Sequence, residues 1–368
     1  MVLKSFKAEG FRNIESCDIS FSPGVNLLHG MNAEGKTNAI EGIYLFSRGK
    51  SFRAGEEREL IKEGRDGFHI SIKYEDKSGE GVLEYSLFGR QRLRRKNGYK
   101  ISRISEMIGS FKSVLFLPDD LCLVKYGPDE RRSFLNVAIS QCEPCYIDFY
   151  SNFKKAYESR NRLIKEANKG LYYDRGELIC WSETMAEYAS HIYISRKKYI
   201  ERLEFFAKKI IEEISGGREN LRLHYKNDIS PQSENLENVK ECYKKKLTEN
   251  LEKEIKVGNS LYGPTRDDIE IYLSGFEAKR YASQGQQRSI VLALKLAEGE
   301  VIKEMYGEYP VFLFDDVLSE LDIDRRKYVI SGMRDRQIII SSCSDEEIKD
   351  FADCVIEASG GNYVSSYR

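Results

Sequence analysis

Short apolar runs separated by turns occupy residues 1–118. Leu3–Phe6, Val25–Leu28, His69–Lys73 and Val114–Leu117 carry the alternating or continuous apolar character of β-strands. Asn97-Gly98 marks a tight hairpin, because both residue types accept positive φ. The character changes after Pro118 and Gly127-Pro128. From Glu130 to about Lys256, apolar positions recur three and four residues apart among Lys and Glu, predicting helices with one break near Ser230-Pro231. The longest such pattern runs through Trp181, Met185, Tyr188, Ile192, Tyr199, Leu203 and on to Ile214, and stops at Gly216-Gly217. It predicts one helix of roughly 50 Å. A coiled-coil arm or an intramolecular bundle would both use it; no second helix of equal length follows, which favours the bundle. Turn-rich α/β character resumes at Gly258, with a strand pattern at Ile269–Leu273, a densely apolar helix at Ile290–Ile302, and strands at Val311–Phe314 and Gln337–Ile340. There is no internal repeat and no low-complexity tract.

A length of 368 residues suggests two or three domains. The 41% hydrophobic and 11% aromatic content exceeds what a disordered chain carries and is enough for real cores. No apolar run approaches the length of a spanning helix, and Met1-Val2-Leu3-Lys4 opens no apolar leader, so a cytoplasmic protein without membrane association is expected. Eight scattered cysteines fit reduced thiols in the same compartment. A net charge of −1 means that any nucleic-acid contact must come from a local patch.

The chemistry concentrates at both ends of the chain. Gly30-Met31-Asn32-Ala33-Glu34-Gly35-Lys36-Thr37 matches G-x-x-x-x-G-K-[ST] in full, between an apolar run and a helical pattern. Gly30 and Gly35 allow a tight turn whose N–H groups converge on phosphate oxygens, and the helix start adds its positive dipole end. Lys36 would reach the β- and γ-phosphates of ATP, and the Thr37 hydroxyl would ligate Mg²⁺. Far downstream, Val311–Phe314 reads as a buried parallel strand ending in Asp315-Asp316, where such sheets bind ligands. Asp315 is expected to hold Mg²⁺ opposite Thr37, and Asp316 to orient or deprotonate the attacking water. Ser283-Gln284-Gly285-Gln286-Gln287-Arg288 opens the apolar helix with a hydroxyl and bare N–H groups at Ser283, Gly285 and Gln286. One nucleotide does not need two helix starts, so the second is expected to meet the nucleotide of another copy.

Three weaker signals complete the reading. Arg90, Arg92, Arg94, Arg95, Lys96, Lys100 and Arg103 lie between Glu84 and Glu106 without an acid; alternate members on a hairpin would line a phosphate track or simply guard a sheet edge. Lys154, Lys155, Arg160 and Arg162 form a second candidate DNA patch. Cys142-Glu143-Pro144-Cys145 has zinc-like spacing without a second ligand pair, which suits an αα-turn with two free thiols better than a metal hook. His29, just before the P-loop, is read as a strand-end packing residue.

P-loop, Ser283–Arg288, Phe314-Asp315-Asp316 and Ser319-Glu320-Leu321-Asp322, in that set, resemble an ABC-type ATPase head of the SMC class. Over nearly the whole chain the resemblance narrows to the bacterial RecF family. It is carried also by Gly10-Phe11-Arg12-Asn13, Leu115-Phe116-Leu117-Pro118-Asp119-Asp120-Leu121, Arg131-Arg132-Ser133-Phe134-Leu135 and Gly263-Pro264-Thr265-Arg266-Asp267-Asp268. The resemblance implies an α/β ABC-type P-loop ATPase head with an inserted α-helical arm domain. Its parts would be residues 1–118 with the P-loop, a helical arm lobe at 119–258, and the remaining ATPase half at 259–368. It implies an ATP-dependent homodimer in which each P-loop faces the partner copy's Ser283 segment, with Asp322 at the seam. It further implies binding to gapped DNA or single-strand/double-strand junctions, action with RecO and RecR to place RecA, slow hydrolysis, and a nucleotide or DNA contact for Arg12. A soluble ABC-type subunit serving a non-DNA partner is the competing class. Two departures from transport ATPases argue against it: Leu117-Pro118-Asp119-Asp120 stands where they carry a Gln, and Ser341-Ser342-Cys343-Ser344 where they carry a switch His. A hydroxyl can position water but cannot shuttle protons near neutrality.

Overall fold

In the computed structural model, which describes residues 1–332, 335–343 and 346–367, the two chain ends share one sheet. The N-terminal part supplies β1 (Val2–Phe11), β2 (Ile14–Ser20), β3 (Val25–His29), α1 (Lys36–Arg48), β4 (Gly67–Asp76), β5 (Gly79–Phe88), β6 (Gln91–Lys96), β7 (Tyr99–Lys100) and β8 (Ser113–Phe116). Helices then dominate: α2 (Cys122–Lys125), α3 (Pro128–Cys142), α4 (Cys145–Asn168), α5 (Arg175–Ser215), α6 (Leu236–Glu249) and α7 (Leu251–Val257), with β9 (Leu221–Lys226) among them. The C-terminal part holds β10 (Asp268–Leu273), β11 (Phe276–Glu277), α8 (Ala278–Tyr281), α9 (Gln284–Tyr306), β12 (Val311–Asp315), α10 (Ile323–Gly332), β13 (Ile338–Ser342), α11 (Glu346–Phe351), β14 (Cys354–Ser359) and β15 (Asn362–Tyr367).

The central sheet runs β15-β14-β3-β13-β12-β8, parallel except for the edge strand β15. β8, β12 and β13 are buried throughout, as strands covered on both faces must be. Alternation assigns the faces. Leu313 and Ile339 join α1 and the antiparallel sheet β2-β1-β4-β5-β6-β7 in one core. Phe312, Phe314, Ile338 and Ile340 point the other way, into the core shared with α9 and the helical part. Contact is close on both sides: a Cβ at Gly42 of α1 would lie 2.5 Å from the Phe6 ring, and one at Gly299 of α9 would lie 2.3 Å from Phe312. The expected hairpin turn joins β6 to β7, with φ of 51° at Asn97 and 80° at Gly98.

The 41-residue α5 is longer than the pattern from Trp181 predicts. Asp174 caps its first turn through the N–H groups of Gly176 and Glu177, and left-handed Gly216 ends it. It lies against α4, α6, α9 and β9, so the intramolecular bundle is the arrangement formed. β9 was not expected from the sequence. It pairs antiparallel with β10, so one three-stranded sheet crosses the boundary expected at 258/259.

Buried ion pairs tie this region together. Arg160 is fully buried and donates to Glu254, Ser182 and Ser260 at 2.6–2.8 Å. Arg196, equally buried, reaches Asp267 at 2.8 Å, the Pro264 carbonyl at 2.7 Å and Asn136 at 3.0 Å. Arg131 grips Asp268 through two bonds of 2.7 and 2.9 Å. Arg160 is therefore a core group and not a member of a DNA-facing patch. Its neighbours at three- and four-residue spacing gave no sign that its own partners lay on α5 and α7. Cys142 is buried at the end of α3 and Cys145 exposed at the start of α4, which makes their segment the αα-turn expected.

Candidate nucleotide site

β3 delivers the chain to the P-loop at the carboxyl end of the parallel sheet, beside the ends of β12 and β13. Leu28 is level with Ser341, and Asp315 is level with Ser341 from the other side. Two glycines are dictated by close approach. A Cβ at Gly30 would sit 2.4 Å from the Ala358 carbonyl oxygen; one at Gly35, where φ is 100°, would sit 2.6 Å from the Tyr363 hydroxyl. Lys36 begins α1 and is buried, its Nζ folded back to the carbonyls of Gly30 at 2.5 Å and Met31 at 2.7 Å. Cys343 Sγ is its third neighbour, at 3.5 Å. Ala33 has a left-handed φ of 69°, and Met31 is 77% exposed.

The acidic strand end meets α1 directly. Thr37 Oγ1 donates to Asp315 Oδ1 at 2.9 Å, and Ser341 Oγ donates to the same oxygen at 2.6 Å. Asp316 adopts φ 54° and its N–H is held by Ser341. A cavity of about 320 Å³ opens here, lined by Asn32, Ala33, Gly35, Lys36, Thr37 and Asp316 among the expected residues.

Five other residues complete the site, and sequence reasoning did not assign them to it. Asn13, Asn38 and Arg53 line the cavity, with Asn38 Nδ2 bonded to Asn13 at 2.7 Å and Arg53 Nη1 to Asn38 at 3.0 Å. Asn13 also donates to the Ala33 carbonyl at 2.8 Å. Tyr363 of β15 donates to the Gly35 carbonyl at 3.0 Å, and Glu34 accepts from the Gly360 N–H, so the C-terminal hairpin braces the loop. Cys343 lines the cavity and bonds Asn32 at 2.8 Å. Asn13 and Cys343 stood within quoted motifs but carried no role there; Arg53 and Tyr363 left no local signal. Arg12, expected near nucleotide or DNA, makes a two-bond pair with buried Glu41 at 2.8 and 2.9 Å.

The remaining candidates fall elsewhere. Ser283 caps α9 with Gln286 in a reciprocal capping box, and none of Ser283, Gly285 and Gln286 lines the P-loop cavity. Ser283 is exposed, and Gln286 Nε2 bonds Glu219 at 2.9 Å. Asp322 holds the N–H of Arg325 at 2.9 Å, while Arg325 Nε reaches Ser289 on α9 at 2.8 Å. Asp120 does not line the cavity; it lies half-buried, 3.7 Å from Lys295 of α9. His29 ends β3, level with Ser342 and Glu357; burial, followed by Lys349, holds its pKa below the usual range. Ser344 lies outside the described residues. In the basic hairpin, Arg92 and Arg94 converge on Glu57, the latter at 3.7 Å and with its guanidinium over Tyr85. Glu57, arriving from a distant turn, thus pairs with two of the seven basic residues of this stretch.

Comparison with known proteins then places the chain. The sequence profile of the RecF/RecN/SMC N terminal domain matches residues 2–359. The chain is 36% identical over 355 residues to the DNA replication and repair protein RecF of Clostridium perfringens (strain 13 / Type A), covering 96% of each. Against its counterpart in Thermoanaerobacter sp. (strain X514) the identity is 34% over 363 residues, covering 98% of this chain and 99% of that one. The chain belongs to the RecF family. A solved structure of the recombination mediator protein RecF-ATPrS in the RecFOR pathway superposes with a TM-score of 0.92 at 32% identity, covering 99% of this chain and 97% of that one. The corresponding RecF-ATP structure gives 0.91, also at 32%. The ABC-type ATPase head fold follows. The Arg131–Asp268 and Arg196–Asp267 pairs give two of the motifs quoted for the RecF resemblance a physical role, since each joins a helix to the segment preceding or opening β10. Among the described residues, no helix is long and apolar enough to cross a membrane.

The residues suit a nucleoside triphosphate. Lys36 is a buried cation whose contacts are neutral oxygens and a thiol, so an arriving phosphate would supply the counter-charge it lacks. Thr37 and Asp315 present adjacent hard oxygen donors, the ligand type magnesium takes.

Proposed function

We propose that this chain is an ATP-dependent DNA-binding clamp of recombinational repair, a RecF-family head that closes on a second copy of itself. The observation that carries it is the separation of two half-sites. Lys36 and Thr37 line one cavity, with Asp315 hydrogen-bonded to Thr37, while the exposed helix start at Ser283 does not line it. Closing the two half-sites requires a partner copy, whose Ser283, Gly285 and Gln286 would face the γ-phosphate held by Gly30–Thr37. Asp322 and the exposed Met31 lie on the surfaces that would meet.

Within each site, Lys36 binds the β- and γ-phosphates and the loop N–H groups orient them. Thr37 and Asp315 would hold Mg²⁺, which when bound neutralises charge building on the phosphate oxygens. Asp316 orients the attacking water, with Ser341 fixing the Asp316 backbone. Without an imidazole at the Ser341–Ser344 position, water activation is weak and hydrolysis slow, which suits a reset rather than a power stroke. Residues 1–118 and 259–368 form the ATPase halves, and 119–258 the arm lobe. The protein then works with RecO and RecR at gapped or junction DNA to promote RecA loading, in the cytoplasm.

Sedimentation with ATP tests the composite site. Ser283→Arg should bind ATP with wild-type affinity yet remain monomeric, because the lesion obstructs only the partner copy's nucleotide. An intact ATP-induced dimer of this variant would reject the arrangement.

A further inference from the structure

A second cleft, of about 620 Å³, lies between the end of α1 and the paired helices α3 and α4. α3 presents Arg132, Ser133, Asn136 and Ser140 to it, and α4 presents Tyr150, Ser151 and Lys154, each set on one helical face. Arg48 and Lys50 close the third side. Four cations thus face one acid, Asp129, and that acid is already paired with Arg132. Lys154 has Glu158 at 3.8 Å, an exposed pair of little strength.

Arg48 and Lys50 are different. Neither has a carboxylate in salt-bridge range among the described residues, and Arg48 Nε is buried without a hydrogen-bond partner. Partial desolvation, then the charges of Arg48 and Lys154, depress the pKa of Lys50. The carbonyl end of α1 offsets part of the Arg48 charge and none of that on Lys154. Elsewhere this chain buries arginines against carboxylates, as at Arg160, Arg196 and Arg131. Clustering like charges around a cavity is unfavourable unless an anion enters it.

We propose that this cleft binds the backbone of single-stranded DNA. This rests on the DNA-binding part of the proposed function and assigns it a surface. Lys50, Lys154 and Arg48 would neutralise successive phosphates, and the Ser133 and Ser151 hydroxyls would donate to their oxygens. Ile147 and the half-buried ring of Tyr150 offer an apolar wall to a base. A duplex keeps its bases stacked inside and could not use this wall, so the cleft favours a single strand.

Fluorescence anisotropy of labelled oligo(dT), and of a duplex of equal length, should be measured with ATP across a salt series. The charge reversal Lys50→Glu/Lys154→Glu should weaken oligo(dT) binding roughly tenfold or more and flatten its log–log salt slope by about 1.4. Ser151→Trp, which fills the cleft without altering charge, should weaken oligo(dT) binding as well. Duplex and ATP affinity should stay within about twofold of wild type in both variants. Unchanged oligo(dT) affinity and slope would overturn the proposal, as would equal losses on strand and duplex, which indicate only a diffuse field. A polyglutamate peptide that loses binding in both variants while oligo(dT) does not would assign the cleft to an acidic protein partner instead. Should wild-type protein bind neither DNA form, the DNA reading itself fails, a result distinct from variants that bind normally.

Discussion

Lys36 and Arg196 are both buried cations, 7% and 0% exposed, and the molecule treats them in opposite ways. Arg196 meets a carboxylate, two neutral side-chain oxygens and a carbonyl, so its charge is paired and its guanidinium well bonded. Lys36 meets two carbonyls and a thiol, dipoles that hold the ammonium in place without cancelling its charge. Removing a charge from water costs several kcal/mol unless a counter-charge comes with it. A cation buried with its carboxylate therefore joins elements, and one buried without it is a standing affinity for an anion. Arg48 at the second cleft, half-buried with its Nε enclosed and without a hydrogen-bond partner, leans toward the latter kind.

The sharpest way to break this contrast is to delete each cation and ask which property falls. Arg196→Met leaves Asp267 buried and uncompensated and should cost about 3–5 kcal/mol in denaturant unfolding, with little effect on ATP affinity of the folded fraction. Lys36→Met should do the reverse: ATP binding falls by about a hundredfold, the ~3 kcal/mol of a strong charge-assisted hydrogen bond, while stability holds or rises. If Lys36→Met destabilises the fold as much as Arg196→Met does, the distinction is lost. Next in size is the buried carboxyl of Glu298, near Lys295 and Asp120. Burial pushes its pKa up to about 7; Lys295 opposes the rise and Asp120 adds to it. A folded-state value above the ordinary 4.5 means stability is complete below pH 4.5 and lost as pH climbs through 7. Between pH 6 and 8 the loss should be about 1.4 kcal/mol. Melting of Glu298→Gln should be flatter over that range; an equal decline in both proteins would contradict it. Smallest is Tyr363→Phe, which removes one brace of the P-loop and should weaken ATP binding about fivefold, the ~1 kcal/mol of a single hydrogen bond, by calorimetric titration.

Much of the candidate nucleotide site was legible because a backbone cradle writes itself into contiguous residues. Gly30, Gly35, Lys36 and Thr37 must lie at set spacing for their N–H groups and side chains to meet one phosphate group, and a continuous apolar strand before Asp315 announces its burial. The parallel strands at β3, β8, β12 and β13 were visible for the same reason. β9, β14 and β15 were not, since short half-exposed strands gain definition only from the strands they pair with. Arg53 reaches the site from a loop and Tyr363 from β15, so no spacing rule could collect them. The basic hairpin was incomplete in a related way: a local count of Arg92 and Arg94 omits Glu57, which the fold brings from another segment.

The linear order of residues was sufficient to determine the strand-loop-helix that cradles phosphate, the helical insertion and the pairing of motifs from both chain ends, because each depends on local geometry or continuous burial. Which charges are spent and which remain open was decided only in three dimensions. A carboxylate neutralises a cation through space over a few ångströms, and Arg196–Asp267, Arg160–Glu254 and Arg92–Glu57 all join residues far apart in the chain. Separation along the sequence carries no record of that distance, so the surplus of positive charge at Arg48 and Lys50 emerges only after every other pair has been made.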